Sequence, residues 1–340
     1  MCGLSGIVFP SDLYVYLSLF RRDGEPTLVP GSFLWGNGKA FAENAVNFIH
    51  ESTKKYGNIF TIRLLNQHMT IINDPHSYER MCKEKNFDFD PIQRQVNHNV
   101  FSFELFDAKK MITEASKKVK GTFLHANMRN FAQHLDQTLA DVTSDVESVD
   151  GWCRDGLRSF GSRTMFRSIF RSIFGKERSG DVFEPMTVYR NFDVFHKYFN
   201  FLWLGLPIKL FPSACKALDV LIQMPNSEDI LSRDDVSDYI KYSTQFMLEH
   251  GQSESDIIGH NLVFLHVNYN TFRVSYWLIY YLMQHREAYD ALMNEVDAVI
   301  KDKLQYTDAD ESAELTLAEL DLLPILSKLR SCTLIVCYII

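Results

Sequence analysis

One stretch sets several chemically capable side chains against an apolar background. In LVFLHVNYNTFRVSYWLIYYLM, the residues His266, Asn268, Asn270, Thr271 and Arg273 interrupt a run of aliphatic and aromatic groups. A polar group buried on a helix costs a few kcal/mol unless it is paired. Such a cluster therefore either hydrogen-bonds to a neighbouring helix or lines a site, and periodicity leaves both open. A threonine here can also bond back to the carbonyl one turn earlier and bend the helix.

A second pattern lies in GLRSFGSRTMFRSIFRSIFGKERSG. Arg163, Arg167 and Arg171 recur at four-residue steps, as do Phe166, Phe170 and Phe174. Both rows form stripes on a helix. The arginines read either as a basic face for an acidic lipid or acidic partner, or as solvated charges beside a core Phe stripe; the second is the simpler expectation. Other signals for catalysis are weak. No Walker loop, GxSxG or HExxH occurs, and Gly36-Asn37-Gly38 reads as a turn. His125 and His134 sit in a helical stretch and read as solvent or core histidines rather than ligands. The six cysteines, at 2, 82, 153, 215, 332 and 337, form no CxxC and suggest neither zinc knuckle nor disulfide scaffold.

The elements that must position these groups are mostly helices. Helical spacing covers 41–56, about 109–140, 152–174, 185–204, 213–224, about 260–284 and about 286–303. The runs Ile59–Leu65 and His68–Ile72, joined by Asn66-Gln67, read as a β-hairpin. Asp74 is placed to cap a helix opening at Pro75. The fold class expected is therefore mainly α with a small β region. The 46% apolar content of the 340 residues suffices for a sizeable core. A net charge of −8 argues against nucleic acid as a partner.

The opening run Leu4–Phe20 is apolar but broken by Pro10, Ser11 and Asp12, and Arg21 and Arg22 follow it. It is short for a spanning helix, and its flanks suit a degraded or truncated membrane anchor over 1–24. An interfacial segment and ordinary buried structure are the other readings. Residues 21–38 read as a Pro/Gly-rich linker.

Several collinear segments resemble the haem-thiolate monooxygenases, the cytochrome P-450 family, and within it the branch of the sterol 7α- and 12α-hydroxylases and prostacyclin synthase. RRDGEPTLVPG resembles the Pro-rich hinge after that branch's anchor. KKYGNIFTIRLLNQHMTIINDPHSYE resembles its first helix end, hairpin and following helix, and FDVFHKYFNFLWLGLPIKLF its helix and GLPI-like turn. HVNYNTFRVSYWLIYYLMQHREAYDALMNEV resembles the long central helix and the one after it, and LAELDLLPIL the approach to the next. The resemblance implies a partial P-450 domain over 25–327 and a non-family tail over 328–340. It implies a haem cofactor, a sterol or lipid substrate, an electron-donating reductase, and a place at the endoplasmic reticulum membrane on its cytosolic face. Asn270 and Thr271 match the acid–alcohol pair of the central helix, with Asn270 in the acid's place. Asn268 and Tyr269 stand where the family prefers smaller groups beside the substrate, and Tyr269 is expected to crowd that groove. Lys120 aligns as a partner for a haem propionate.

The departures are equally specific. No cysteine here has glycine two places later, as the haem-ligand loop FxxGxxxCxG requires, and no Glu-x-x-Arg occurs. Thiolate ligation is what lets such haem cleave dioxygen. A chain without that loop is expected to be inactive alone, and a truncated gene product is the simplest reading. The rival expectation is a haem-free helical protein for lipid or membrane interaction.

Overall fold

The computed structural model describes residues 24–65, 67–84, 87–88, 90–144, 154–178, 183–304 and 323–325. Most of residues 1–24 and all of the tail 328–340 lie outside them. The chain divides into two compact units that meet in sequence at Pro91 and Ile92.

In the first unit the expected 41–56 helix is two helices, α1 (Gly38–Glu43) and α2 (Ala45–Tyr56). Asn44 separates them because its extended backbone leaves its side chain free to accept from the Asn47 N–H, starting a fresh helix. Strands β1 (Ile59–Leu64) and β2 (Gln67–Ile72) pair antiparallel, Ile59 opposite Ile72 and Leu64 opposite Gln67. Phe60, Ile62 and Leu64 are buried along β1. Helix α3 (Pro75–Lys83) begins as its sequence suggests, with the Asp74 carboxylate accepting from the His76 N–H at 3.1 Å.

Gly36-Asn37-Gly38 is more than a turn. The Ser32 and Gly36 backbones exchange hydrogen bonds at 2.8 and 2.9 Å. Gly36 has φ +58°, and a Cβ there would stand 2.1 Å from the Arg63 carbonyl oxygen, so only glycine fits. The Asn37 side chain donates to Pro30 O and accepts from the Arg63 N–H. The Arg63 guanidinium donates to the carbonyls of Leu65 and Phe33, at 2.7 and 2.6 Å, and to that of Ser32. This clasp holds out a tip whose residues Phe33, Leu34 and Trp35 are 72%, 71% and 56% exposed.

The second unit is all helical among the described residues, and α4 (Asp90–Phe101) leads into it. The expected 109–140 helix is interrupted. Helix α5 (Ala108–Ala115) tightens into a 3₁₀ turn over Ser116–Val119, and Gly121, at φ +56°, restarts the chain as α6 (Gly121–Ser144). The next helix runs without a break from Leu157 to Phe174, as α7 (Leu157–Gly161), a π turn over Ser162–Phe166, and α8 (Arg167–Phe174). Helices α9 (Pro185–His196), α10 (Phe199–Trp203), α11 (Pro212–Leu221), α12 (Ser227–Ser232) and α13 (Asp238–Glu249) follow. The 31-residue α14 (Glu254–Gln284) then opens with a capping box between Ser253 and Asp256. Last comes α15 (Arg286–Leu304).

Phe166, Phe170, Phe174, Phe192, Phe195, Leu202 and Leu221 are almost wholly buried and form the heart of the unit's core with Leu265, Tyr269 and Phe272 of α14. The Phe stripe is thus core. The arginine stripe is not solvated, contrary to the simpler expectation. Arg163 pairs with Asp155 and Arg167 with Glu177, and Arg171, 2% exposed, pairs with Glu177 and donates to Thr138 Oγ1 at 3.0 Å. Burial opposes the Glu177 charge, but hydrogen bonds from Arg171 and Arg167 outweigh it and hold this carboxyl at about 2.

Candidate functional site

Helix α14 carries two different faces. Asn270 and Thr271 are exposed, as is Val267 one turn before. The Thr271 hydroxyl lies 3.5 Å from Val267 O, at the limit of a hydrogen bond, so it remains able to serve another acceptor or donor. Asn268 is half-buried, and its amide donates back to Phe264 O at 2.8 Å. It satisfies itself within the helix instead of facing a pocket.

Tyr269 does not crowd a groove over Thr271. Two residues on a helix subtend about 200°, which turns Tyr269 away from Thr271 and into the core, where it is 3% exposed. Its ring centroid lies 5.2 Å from Phe192, 6.2 Å from Tyr189 and 6.0 Å from Phe272. Its hydroxyl donates to Asp193 Oδ1 at 2.7 Å. Burial, then that carboxylate, push the phenol well above its usual range.

Beside Tyr269 lie two half-buried histidines, His196 and His266. His266 stacks parallel on Phe199 with centroids 4.5 Å apart and lies 5.3 Å from His196. Burial, then the Arg273 charge, push His196 down to about 4; burial, then His196 and Arg273, push His266 down to about 3. Both rings are neutral at physiological pH and behave as flat core groups. His134 is also a core histidine, at 8% exposure, whereas His125 is exposed.

On the side of α14 away from Thr271 lies a cavity of about 420 Å³. Tyr269, Phe272, Arg273, Tyr276 and Trp277 of α14 face Arg158 of α7 and Asp193, His196 and Lys197 at the end of α9 across it. Of these the sequence singled out only Tyr269 and Arg273. Phe272, Tyr276 and Trp277 share the helix of those two, whereas Arg158, Asp193, His196 and Lys197 come from segments far earlier in the chain, Asp193 76 residues before Tyr269; a cation inside an apolar helix was the one available signal.

Lys120 is exposed at the junction between the 3₁₀ turn and Gly121. No described hydrogen bond ties it to α14. Among the described residues no cluster of histidine, cysteine or carboxylate side chains could hold a metal ion.

Comparison with known proteins places this architecture. The chain is similar to the cholesterol 7-alpha-monooxygenase of Cricetulus griseus, 24% identical over 325 residues, covering 91% of this chain and 64% of the relative. It is similar to the prostacyclin synthase of Rattus norvegicus, 26% identical over 355 residues, covering 98% and 69%. It is similar to the 7-alpha-hydroxycholest-4-en-3-one 12-alpha-hydroxylase of Oryctolagus cuniculus, 26% identical over 331 residues, covering 92% and 64%. The chain therefore spans about two thirds of the length of the curated relatives it matches. The cytochrome P-450 family profile matches residues 25–326, which take in both units and the whole of α14. The chain belongs to the cytochrome P-450 family, in the branch of the sterol hydroxylases and prostacyclin synthase.

Proposed function

We propose that this chain is a sterol- or lipid-directed member of the haem monooxygenases and that α14 lies over the oxygen-binding side of the haem. The observation that carries this is the exposure of Asn270 and Thr271 side by side on one face of a 31-residue helix, inside the matched region. An amide and a hydroxyl at adjacent exposed positions can hold a small polar ligand or relay a proton between it and solvent.

The described residues do not by themselves make a haem-thiolate centre. Cys215, the cysteine whose side chain is described, donates its thiol to Ile208 O at 3.3 Å. No oxidative step is therefore assigned to this chain alone. Haem would supply oxygen activation, Lys120 a charge for a propionate, and a reductase the electrons.

A chimera tests the reading. The chain is joined to the part of the Cricetulus griseus relative that it does not match, and the reduced protein is scanned under carbon monoxide. The expected result is a thiolate-type Soret band from the chimera and none from the 340-residue chain, with turnover of a sterol or lipid that falls at least tenfold in Thr271→Ala. A folded, haem-loaded chimera that oxidises no sterol or lipid would overturn the proposal.

A membrane location rests on a different observation. Phe33, Leu34 and Trp35 stand exposed on the tip clasped by Arg63. Two aromatic residues flanking an aliphatic one on a fixed turn suit the bilayer interface. No described helix is long and apolar enough to cross a membrane. The tip also favours a second reading, a haem-free membrane-interaction protein. Flotation with liposomes is expected to weaken when Phe33, Leu34 and Trp35 are all replaced by serine; unchanged flotation would remove the tip from either reading.

A further inference from the structure

The cavity behind α14 holds more positive than negative charge, and its charges are unequally engaged. The Asp193 carboxylate accepts from Arg158 Nη2 at 2.6 Å and from the Tyr269 hydroxyl at 2.7 Å, and Lys197 Nζ lies 3.7 Å from its other oxygen. One carboxylate is thus shared by a phenol and two cations. Arg273, which lines the same cavity, has no hydrogen-bond or ion-pair partner among the described residues. The His196 ring beside it is held neutral by burial and contributes no further charge. Three cations therefore face one anion, an excess of two positive charges.

The walls are aromatic. Phe272, Tyr276 and Trp277 come from successive turns of α14, and Trp277 stacks at 30° on Tyr281 further along. A guanidinium with no acid of its own presents a planar fork matched to a carboxylate or sulfate. Flat apolar walls beside it add area without demanding hydrogen bonds. A volume of about 420 Å³ suits one small organic molecule.

From this we infer that the cavity between α7, α9 and α14 is a binding site for an amphipathic organic anion, with its carboxylate or sulfate on Arg273 and its apolar body against Phe272, Tyr276 and Trp277. The site lies on the side of α14 away from Thr271, so it is separate from the proposed oxygen side and does not depend on haem. Asp193 has a defined part in it. By occupying Arg158 and Lys197 it leaves Arg273 as the strongest anion acceptor, and it disfavours a ligand bearing several charges.

Equilibrium dialysis of the full chain against 2-naphthalenesulfonate, followed by the ligand's own fluorescence, tests this. Its neutral sulfonamide analogue isolates the charge, and inorganic sulfate isolates the head group. Saturable binding is expected for the sulfonate, at least tenfold tighter than for the sulfonamide and for sulfate. Arg273→Gln is expected to weaken sulfonate binding at least tenfold, and Arg273→Lys to weaken it less. Arg190→Gln, which removes an exposed charge elsewhere on α9, is expected to change nothing. Raising the sodium chloride concentration on the unaltered chain is expected to weaken sulfonate binding and spare sulfonamide binding. That comparison stands even if an arginine variant misfolds. Equal binding of sulfonate and sulfonamide, no saturable sulfonate binding, or a folded Arg273→Gln chain that binds as well as the original would overturn the site. A naphthalenecarboxylate run beside the sulfonate distinguishes carboxylate from sulfate as the natural head group.

Discussion

At the scale of single residues, the strongest dependence is that of Arg171 on Glu177. Arg171 is 2% exposed, and its charge is tolerable because Glu177 and Thr138 satisfy it, with the Asp141 carboxylate farther off at 3.7 Å. Glu177→Gln leaves that buried charge with only the more distant, half-exposed Asp141 carboxylate as counter-ion. It is expected to cost about 3–5 kcal/mol in urea unfolding. Replacing both partners, as in Arg171→Met with Glu177→Leu, is expected to cost much less. A single mutant no weaker than the double would show that the pair is ornamental. The arginine spacing was legible in sequence, but its meaning was not. The partners Thr138 and Glu177 fall off the four-residue period, and Asp155, two steps before Arg163, lies ahead of the helix that begins at Leu157. Thr271 and Asn270 were legible because polar residues in an apolar helix stand out. Arg158 and Lys197 were not, because surface cations are ordinary until folding brings them to one cavity.

At the scale of elements, α14 depends on one close approach. A Cβ at Gly259 would fall 2.8 Å from Phe103 Cδ1 and 2.9 Å from its Cβ and Cγ. Gly259→Val is therefore expected to destabilise the fold by about 1–3 kcal/mol through overpacking. Gly251→Ala meets no neighbour, yet its φ of +72° makes it the comparison for backbone strain without crowding. A Gly259→Val chain as stable as the original would mean that Phe103 moves freely aside. Sequence periodicity found the hairpin, the Asp74 cap and the longest helices, but not α4 (Asp90–Phe101), α12 (Ser227–Ser232) or α13 (Asp238–Glu249). It also missed the breaks at Asn44, at Gly121 and between His196 and Phe199, because isolated polar residues and a lone glycine read as tolerable within a helix. The apolar run around one polar cluster points to a largely enclosed α14. Residues 257–266 hold no exposed position, but Val267, Ile279, Tyr280 and Met283 are exposed.

At the scale of the whole chain, acid sensitivity follows from groups whose protonation differs between folded and unfolded states, among them His260, which burial pushes down to about 4. His196 and His266 sit at about 4 and about 3 when folded, against an ordinary 6.5. The unfolded chain therefore takes up protons first, and stability falls as pH drops below about 6.5 toward 4. Glu177, held at about 2 against an ordinary 4.5, adds a second loss as pH falls from about 4.5 toward 2. Urea midpoints measured across this range are expected to decline in those two stages, and His266→Phe is expected to flatten the upper one. A midpoint constant between pH 7 and pH 4 would contradict the burial of both rings. The exposed apolar residues of α14 and the Phe33–Trp35 tip together predict self-association and binding of an apolar dye. Size-exclusion chromatography is expected to show species larger than the 39.4 kDa monomer. A single monodisperse monomer with no dye binding would show that these surfaces are covered.

The π turn at Ser162–Phe166 fits one more residue into its turn than an α-helix would. In rotational terms it is a phase shifter. It resets the angle between Leu157–Gly161 and Arg167–Phe174, so that the downstream half can point its phenylalanines inward while Arg158 upstream reaches Asp193. Deleting one residue there would leave an unbroken α-helix with every other side chain present. The upstream turn would then swing by about 100° about the axis, taking Arg158 off its carboxylate. A one-residue change in length, neutral in composition, would thus dismantle the rim of the cavity without touching any residue that forms its walls.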